Sequence, residues 1–217
     1  MKKIIFFIVV LVFFKNAHAK CEIEYDFQIL TKELNAISNL CNHLLSNSNF
    51  PQSTIEVLLT KEINFPNAFA LYYKKSQLIV ISQSFLRIHN FDPKLLAFVF
   101  GHEIGHLQLG HVKSETTFSK LFDSFRSGMS ASIGSDSNPL ASGLKISLNS
   151  YEAKYSQSQE IAADNFSYKL LLRSGYSKLD VLNSLSILNE NTSSKSWTRF
   201  FSTHPSPQKR IDNISNQ

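Results

Sequence analysis

The feature that most constrains the fold is an apolar helical segment that carries two histidines one turn apart. Asp92 is a good N-cap, Pro93 suits the first helical position, and Gly110 is a plausible stop. Within this helix His102 and His106 stand four residues apart, so both imidazoles lie on one face and can meet one ion. The neighbouring residues are apolar, namely Phe98, Val99, Phe100, Leu107 and Leu109. The two histidines are therefore expected to be sheltered from water.

The residue between the histidines that carries further chemistry is Glu103. It is turned about 100° from His102 around the helix axis, so it can reach an open coordination position instead of the metal itself. This His-Glu-x-x-His pattern is typical of zinc peptidases in which the glutamate is the general base. The alternative is a pair of structural histidines bonded to backbone groups, but burying these groups without partners costs free energy.

A third ligand must come from elsewhere, because catalytic zinc usually takes three protein ligands and a water. His111 is a poor candidate, since it lies five residues after His106 and about 140° away around the helix. The metzincin pattern requires a glycine at position 109 and a histidine at position 112, where this chain has Leu109 and Val112. Glu160, on a separate predicted helix, is the better candidate.

Glu160 and Asp164 are again four residues apart, so one helix face presents two carboxylates. Glu160 can bind zinc, while Asp164 can accept a hydrogen bond from a ligand imidazole and fix its tautomer. Ala162 and Ala163 are small and let this helix approach the first one closely. The alternative is a solvated helix face, because acidic residues are common on helices.

The remaining pattern predicts a helix-rich domain over 20–217. Apolar spacing and turn residues predict helices over 26–46 and 157–173, one from the capping pair Ser177 and Asp180 through Ile187, and a short last helix that begins at Ser206 and Pro207. Short strands are predicted over 54–60, 68–73 and 77–81. Residues 126–150 are rich in Ser and Gly and are predicted to be a flexible loop, either a surface linker or a lid over the active site.

Residues 1–19 are predicted to be a signal peptide. Lys2 and Lys3 precede an apolar run over 4–14, and Ala17 and Ala19 fit the small-x-small rule for cleavage after Ala19. The run is short for a membrane span, although an uncleaved anchor is the alternative. Cleavage lowers the net charge from +5 to +2, so charge gives no reason to expect nucleic-acid binding. The mature chain is then expected to be periplasmic or secreted, with no stable membrane span.

The two cysteines, Cys21 and Cys41, are expected to pair in an oxidising compartment. The alternative is that Cys21 is a lipidated first residue. Lipoprotein signals place a small residue before that cysteine, and here Lys20 stands there.

Taken together, these motifs resemble the M48 family of metallopeptidases, the HtpX- and BepA-like gluzincins. The likeness spans residues 67–211 in the family's order and is carried by Asn67-Ala68-Phe69-Ala70-Leu71, by His102–His106, by Tyr155-Ser156-Gln157-Ser158-Gln159-Glu160 with Asp164, and by Thr203-His204-Pro205-Ser206 with Arg210 and Ile211. The family often continues Pro-Gly-Gly after the first of these segments. This chain has Tyr72-Tyr73-Lys74 there, so the resemblance does not carry over the turn geometry or the substrate selection at this point.

The resemblance implies an α+β, mainly helical gluzincin fold, with the small three-stranded sheet beside the active-site helix. It implies zinc held by His102, His106 and Glu160, with Asp164 behind a ligand. It also implies that His204 lies near the active site, where it is a candidate stabiliser of the developing oxyanion. The alternative is a turn histidine before a proline. The chain is most similar in kind to the small exported soluble members.

These observations predict a zinc-dependent endopeptidase, with one Zn²⁺ per chain, that acts on exported or envelope proteins. Glu103 would be the general base for a zinc-activated water, and an extended substrate would pair with the strand over 77–81. Protein or peptide substrates and peripheral envelope association are the expected partnerships. The alternatives are a non-proteolytic exported chaperone or binding module that keeps the fold, and a latent protease held shut by residues 126–150.

Overall fold

We describe the computed structural model of the chain over residues 19–49, 54–73, 76–112, 155–190, 204 and 206–217. The predicted signal segment up to residue 18 and the predicted loop over 126–150 lie outside the described residues. The fold is mainly helical with a small mixed sheet, which confirms the α+β prediction.

The sheet has four described strands, which are β1 (Lys20–Tyr25), β2 (Thr54–Thr60), β3 (Ala68–Tyr73) and β4 (Ser76–Ser82). Their order is β1-β2-β4-β3, with β1, β2 and β4 parallel and β3 antiparallel to β4. The prediction of three strands is therefore wrong by one. β1 was missed because three of its six residues are charged and Cys21 is its one buried residue.

The position of β4 also corrects the predicted substrate strand. β4 lies between β2 and β3, so its backbone groups are paired on both sides and the proposed pairing with 77–81 is wrong. Among the described strands, β3 is instead at the edge on this side of the sheet, in register with β4 so that Ala68 faces Ile81 and Ala70 faces Ile79.

The described helices are α1 (Thr31–Asn47), α2 (Gln83–Ile88), α3 (Pro93–Gln108), α4 (Gln157–Arg173), α5 (Lys178–Glu190) and α6 (Pro207–Ser215). The helix predicted over 26–46 begins five residues later, because the chain first forms β1 and the turn after it. The short α2 was not predicted. The boundaries of α4 are those that the sequence predicts.

Local sequence signals begin α3 and α4, the two helices that carry the predicted site residues, and one also ends α3. Asp92 accepts a hydrogen bond from the Lys94 amide at 2.8 Å, and Pro93 follows as the first residue of α3. α3 then ends before Gly110, whose φ of 68° is a left-handed conformation that favours glycine. At the start of α4 the Ser156 hydroxyl accepts a hydrogen bond from the Gln159 amide. The Gln159 side-chain oxygen in turn accepts one from the Ser156 amide.

α3 lies at the centre of the molecule. Every residue from Leu96 to Leu107 is buried, and the helix packs against α1, α4, α5, β3 and β4. Two glycines allow α4 to approach it. A Cβ added to Gly101 would lie 2.5 Å from Ser167 Oγ, and one added to Gly105 would lie 3.2 Å from the Ala163 carbonyl oxygen. This close packing brings the first turn of α4 beside the histidines of α3.

A disulfide joins Cys21 of β1 to Cys41 of α1, with the Cα atoms 6.0 Å apart. This confirms the predicted pairing and ties the edge strand to the first helix. It occupies the Cys21 sulfur, so the lipidation alternative does not fit this structure. In the part of the chain that the structure describes, none of the helices has the length and apolar character that crossing a bilayer requires.

Candidate metal centre

The two histidines of α3 point at one another inside the protein. Their Nε2 atoms are 3.0 Å apart and the rings meet edge to face at 79°. Both side chains are buried. Two imidazole lone pairs that converge in this way repel each other unless a proton or a cation lies between them.

Glu160 of α4 completes a set of three donors. Its Oε1 lies 3.3 Å from His106 Nε2 and its Oε2 lies 3.4 Å from His102 Nε2. The carboxylate is in the first turn of α4, where the helix dipole favours negative charge. Sequence reasoning placed Glu160 at this point, and the structure brings it there.

His204 adds a fourth donor. One ligand atom from each of His102, His106, Glu160 and His204 lies within 4.8 Å of the others, and all four residues are buried. His204 Nδ1 lies 3.1 Å from Glu160 Oε2, and its Nε2 lies 3.3 Å from the Ala68 carbonyl oxygen. The structure thus places His204 beside the site, where the family resemblance implies it, with both ring nitrogens close to an acceptor.

The hydrogen bonding of Glu160 and the types of the surrounding ligand atoms both fit a divalent cation at this cluster. Glu160 Oε1 is buried yet accepts no hydrogen bond among the described residues. A buried carboxylate oxygen without such a bond has lost its hydration, and a metal ion would compensate for that loss. Two imidazole nitrogens and one carboxylate are also the donor types of catalytic zinc sites.

Glu103 has the surroundings that a general base needs. It is fully buried next to the cluster, and its Oε2 has no hydrogen-bond partner within the described ranges. Burial raises the pKa of the Glu103 carboxyl above its ordinary value. Because a carboxylate with a raised pKa accepts a proton more readily, Glu103 is suited to take one from water near neutral pH.

A buried ion pair holds the far side of His102. Asp164 Oδ1 lies 2.8 Å from His102 Nδ1, an arrangement in which the ring donates there and directs Nε2 toward the metal position. Arg210 of α6 donates to both oxygens of Asp164, at 2.6 to 3.1 Å, and its guanidinium lies 5.1 Å from the centre of the Phe98 ring. Burial opposes the effect, but Arg210 and His102 hold the pKa of Asp164 below its ordinary value.

His106 has a corresponding partner in His111. Their Nδ1 atoms are 3.1 Å apart, and burial lowers the pKa of His111, so a neutral His111 can accept a hydrogen bond from the Nδ1–H group of His106. His111 lies outside the group of four donors, as the helical geometry of the sequence predicts. Its contact with a ligand histidine was not predicted.

The charged neighbours of the cluster shift the pKa values of His102, His106 and Glu160 in different directions. Burial alone would lower the pKa of His102, but hydrogen bonds to Asp164 and Glu160 raise it to about 9. Burial and the charge on His102 together lower the pKa of His106 to about 3. Burial would raise the pKa of Glu160, yet the surrounding histidines, His204 foremost, hold it well below its usual range. The carboxylates around His102 therefore favour its protonated form.

Tyr155 closes the side of the site that faces the sheet. Its ring stacks on His106, with centroids 3.7 Å apart and planes 16° apart, and its hydroxyl donates to the Ala70 carbonyl oxygen at 3.1 Å. The roles of Tyr155 and Arg210 were both missed. Each residue stands in a segment that carried the family likeness, but no spacing along the chain indicates its contacts.

Comparison with known proteins agrees with this geometry. The model of peptidase family M48 matches residues 31–217. Metalloprotease YcaL of Escherichia coli (strain K12) is 33% identical over 117 residues, which are 54% of this chain and 46% of YcaL. Metalloprotease LoiP of the same organism is 28% identical over 184 residues, which are 82% of this chain and 68% of LoiP. The chain thus spans about half the length of YcaL and about two thirds of LoiP.

Proposed function

The chain belongs to peptidase family M48, and from this premise we propose that it is a zinc-dependent endopeptidase that acts on exported or envelope proteins. The observation that carries the proposal is the convergence of His102, His106 and Glu160 beside a buried Glu103. A purely structural metal site does not require a general base. The intact Glu103 therefore favours catalysis over a non-proteolytic binding module.

The proposed metal is held by His102, His106 and Glu160, with Asp164 and His111 orienting the two imidazoles. When bound, zinc would supply Lewis acidity to the scissile carbonyl and lower the pKa of a water toward 7. Glu103 takes a proton from the attacking water and later gives it to the leaving amine. His204 remains our candidate for stabilising the oxyanion, for which one of its ring nitrogens must exchange its present contact.

The proposed substrate is an extended peptide that adds to β3. This strand is the sheet edge that packs against α3, and its Ala68 and Ala70 carbonyls lie beside His204 and Tyr155 of the site. Edge strands bind peptides through main-chain hydrogen bonds. The proposed protease would therefore recognise an extended backbone more than particular side chains. This role replaces the one first assigned to 77–81.

The proposal that substrates are exported or envelope proteins rests on the predicted signal segment and on the Cys21–Cys41 disulfide. Disulfides persist in oxidising compartments and are rare in the cytosol. Peripheral association with the envelope and cleavage after Ala19 are part of the same proposal.

The test is casein digestion by the mature, zinc-loaded chain with and without 1,10-phenanthroline. Glu103→Gln should keep its zinc and lose about 100-fold to 10,000-fold in rate, since it removes the base and no metal ligand. Glu190→Gln, at the exposed end of α5, is the matched control and should keep full activity. Full activity in Glu103→Gln would refute the assigned role. A zinc-loaded wild-type chain that digests nothing would favour the binding-module alternative.

A further inference from the structure

The edge of β3 that faces the site has two carbonyl groups already in contact with side chains. The Ala70 carbonyl accepts a hydrogen bond from the Tyr155 hydroxyl at 3.1 Å, and the Ala68 carbonyl lies 3.3 Å from His204 Nε2. Residues two apart on a strand direct their carbonyls to the same side. The Asn67 carbonyl accepts a hydrogen bond from the Ser82 amide of β4, so the Ala68 and Ala70 carbonyls, which alternate with it, point away from β4 toward the position that an added peptide strand would take.

Pairing at Ala70 requires the same acceptor that Tyr155 uses. In an antiparallel ladder the N–H and C=O of one residue both point to the same neighbouring strand. A peptide residue that pairs with Ala70 must donate its own N–H to the Ala70 oxygen. Ala68 and Ala70 are also fully buried, so a peptide reaches them only when the side chains over them move aside.

The Tyr155 hydroxyl can move aside from Ala70 while the tyrosine ring stays in the site. Its ring stacks on His106 at a centroid distance of 3.7 Å, and the residue is only partly buried. Since Tyr155 directly precedes the N-cap of α4, the hydroxyl can swing away from Ala70 while the helix that carries Glu160 stays in place.

We propose that Tyr155 is a specificity-determining residue whose hydroxyl competes with an incoming peptide for the Ala70 carbonyl. This inference rests on the proposed function, because it assumes that β3 is the strand that receives substrate. Peptides that can donate a backbone N–H at that position displace the hydroxyl. Peptides with proline there cannot, so the competition selects extended, proline-free segments.

The experiment measures peptide binding separately from cleavage. A short fluorescein-labelled peptide from β-casein is titrated by fluorescence anisotropy into zinc-loaded Glu103→Gln, with and without Tyr155→Phe. The phenylalanine keeps the ring on His106 and removes only the competing hydroxyl. The dissociation constant should fall about threefold to tenfold, the range expected for one hydrogen bond.

The matched control is Tyr176→Phe. Tyr176 follows the C-terminal end of α4 while Tyr155 precedes its start, and a helix of 17 residues separates them by about 25 Å. The control should bind the peptide as the parent does. Zinc content is measured in every variant, to show that the metal site is intact.

A backbone N-methyl scan of the peptide provides the decisive comparison. At one position N-methylation removes the N–H that would meet Ala70, and there the advantage of Tyr155→Phe should disappear. Equal dissociation constants in the two backgrounds, an advantage kept at every methylated position, or no binding by either variant would overturn the inference. Failure of the wild type to digest casein would count against the proposed function alone, because binding is measured without turnover.

Discussion

The Nε2 atoms of His102 and His106 lie 3.0 Å apart, with both Glu160 oxygens within 3.4 Å of them. Hydrogen bonds to Asp164 and Glu160 raise the pKa of His102 to about 9, so these carboxylates favour a proton on the imidazole. A proton on His102 Nε2 competes with a cation for the same lone pair. Metal binding must displace this proton.

Zinc affinity should therefore rise with pH, about tenfold per unit from pH 6 to pH 8. The sign follows from the raised pKa of His102, since the imidazole stays protonated until the pH passes about 9. Calorimetric titration of zinc in buffers of different ionisation enthalpy should show about one proton released per ion at pH 7. Zinc uptake without proton release would contradict the assignment.

Replacing Glu160 by Gln should remove the charged ligand while keeping the shape of the side chain. We expect zinc affinity to fall by more than about 100-fold, beyond the effect typical of residues that only support a ligand. Competition with a fluorescent chelator measures it. The zinc affinity of Asp164→Asn should fall by about 10-fold to 100-fold, and that of Glu190→Gln should not change. An unaltered affinity in Glu160→Gln would remove this residue from the ligand set.

Arg210→Met should destabilise the fold strongly. The substitution breaks the buried ion pair and leaves His102 as the remaining charged partner of the Asp164 carboxylate, which costs about 3–5 kcal/mol. Urea denaturation of the metal-free proteins gives the free energies of unfolding. Arg173→Met is the matched control. Because the Arg173 side chain is exposed at the end of α4 and bonds a single carbonyl, its loss should be under about 1 kcal/mol. Equal losses in the two variants would show that the buried pair contributes no more than a surface contact.

Gly101→Ala should push α3 and α4 apart. The new Cβ would lie 2.5 Å from Ser167 Oγ and 3.0 Å from Leu171 Cδ1, so the helices must shift. We expect a loss of about 1–3 kcal/mol in the free energy of unfolding, together with weaker zinc retention. Adding Ser167→Ala removes the nearest atom. It should therefore restore part of the lost free energy of unfolding and part of the zinc retention. If the double variant is no better than Gly101→Ala, contact with Ser167 is not the cause.

The disulfide should stabilise the metal-free protein. Opening the loop between Cys21 and Cys41, 20 residues apart, should cost about 3 kcal/mol in the chain-entropy model. Urea denaturation of Cys21→Ala/Cys41→Ala measures this. Wild-type protein in dithiothreitol should unfold at the same urea concentration as the variant, and an identical midpoint with and without reductant would argue against the bond.

The sequence predicts those parts of the fold that local signals determine. Asp92, Pro93 and Gly110 mark α3 at both ends, and the four-residue spacings fix which groups share a face. β1 was not predicted because three of its six residues are charged and Cys21 is its one buried residue. The edge position of β3 could not be read either, since strand order depends on contacts between distant segments.

The same limit applies to the site. His102, Glu103, His106 and Glu160 have spacings that indicate their chemistry, whereas Tyr155 and Arg210 act through contacts that no periodicity encodes. Tyr155 meets Ala70 across 85 residues, and Arg210 meets Asp164 across 46. Such contacts become visible only when the packing of the helices is known.

The contribution of α6 to the centre has a consequence for biosynthesis. Arg210 lies 108 residues after His102, so a ribosome makes both ligand imidazoles long before the guanidinium that supports their neighbour. A chain that lacks this helix leaves the buried Asp164 carboxylate without the guanidinium hydrogen bonds that accompany its contact with His102. The buried arrangement behind His102 is therefore complete only after the last described helix has been made and has packed against α4.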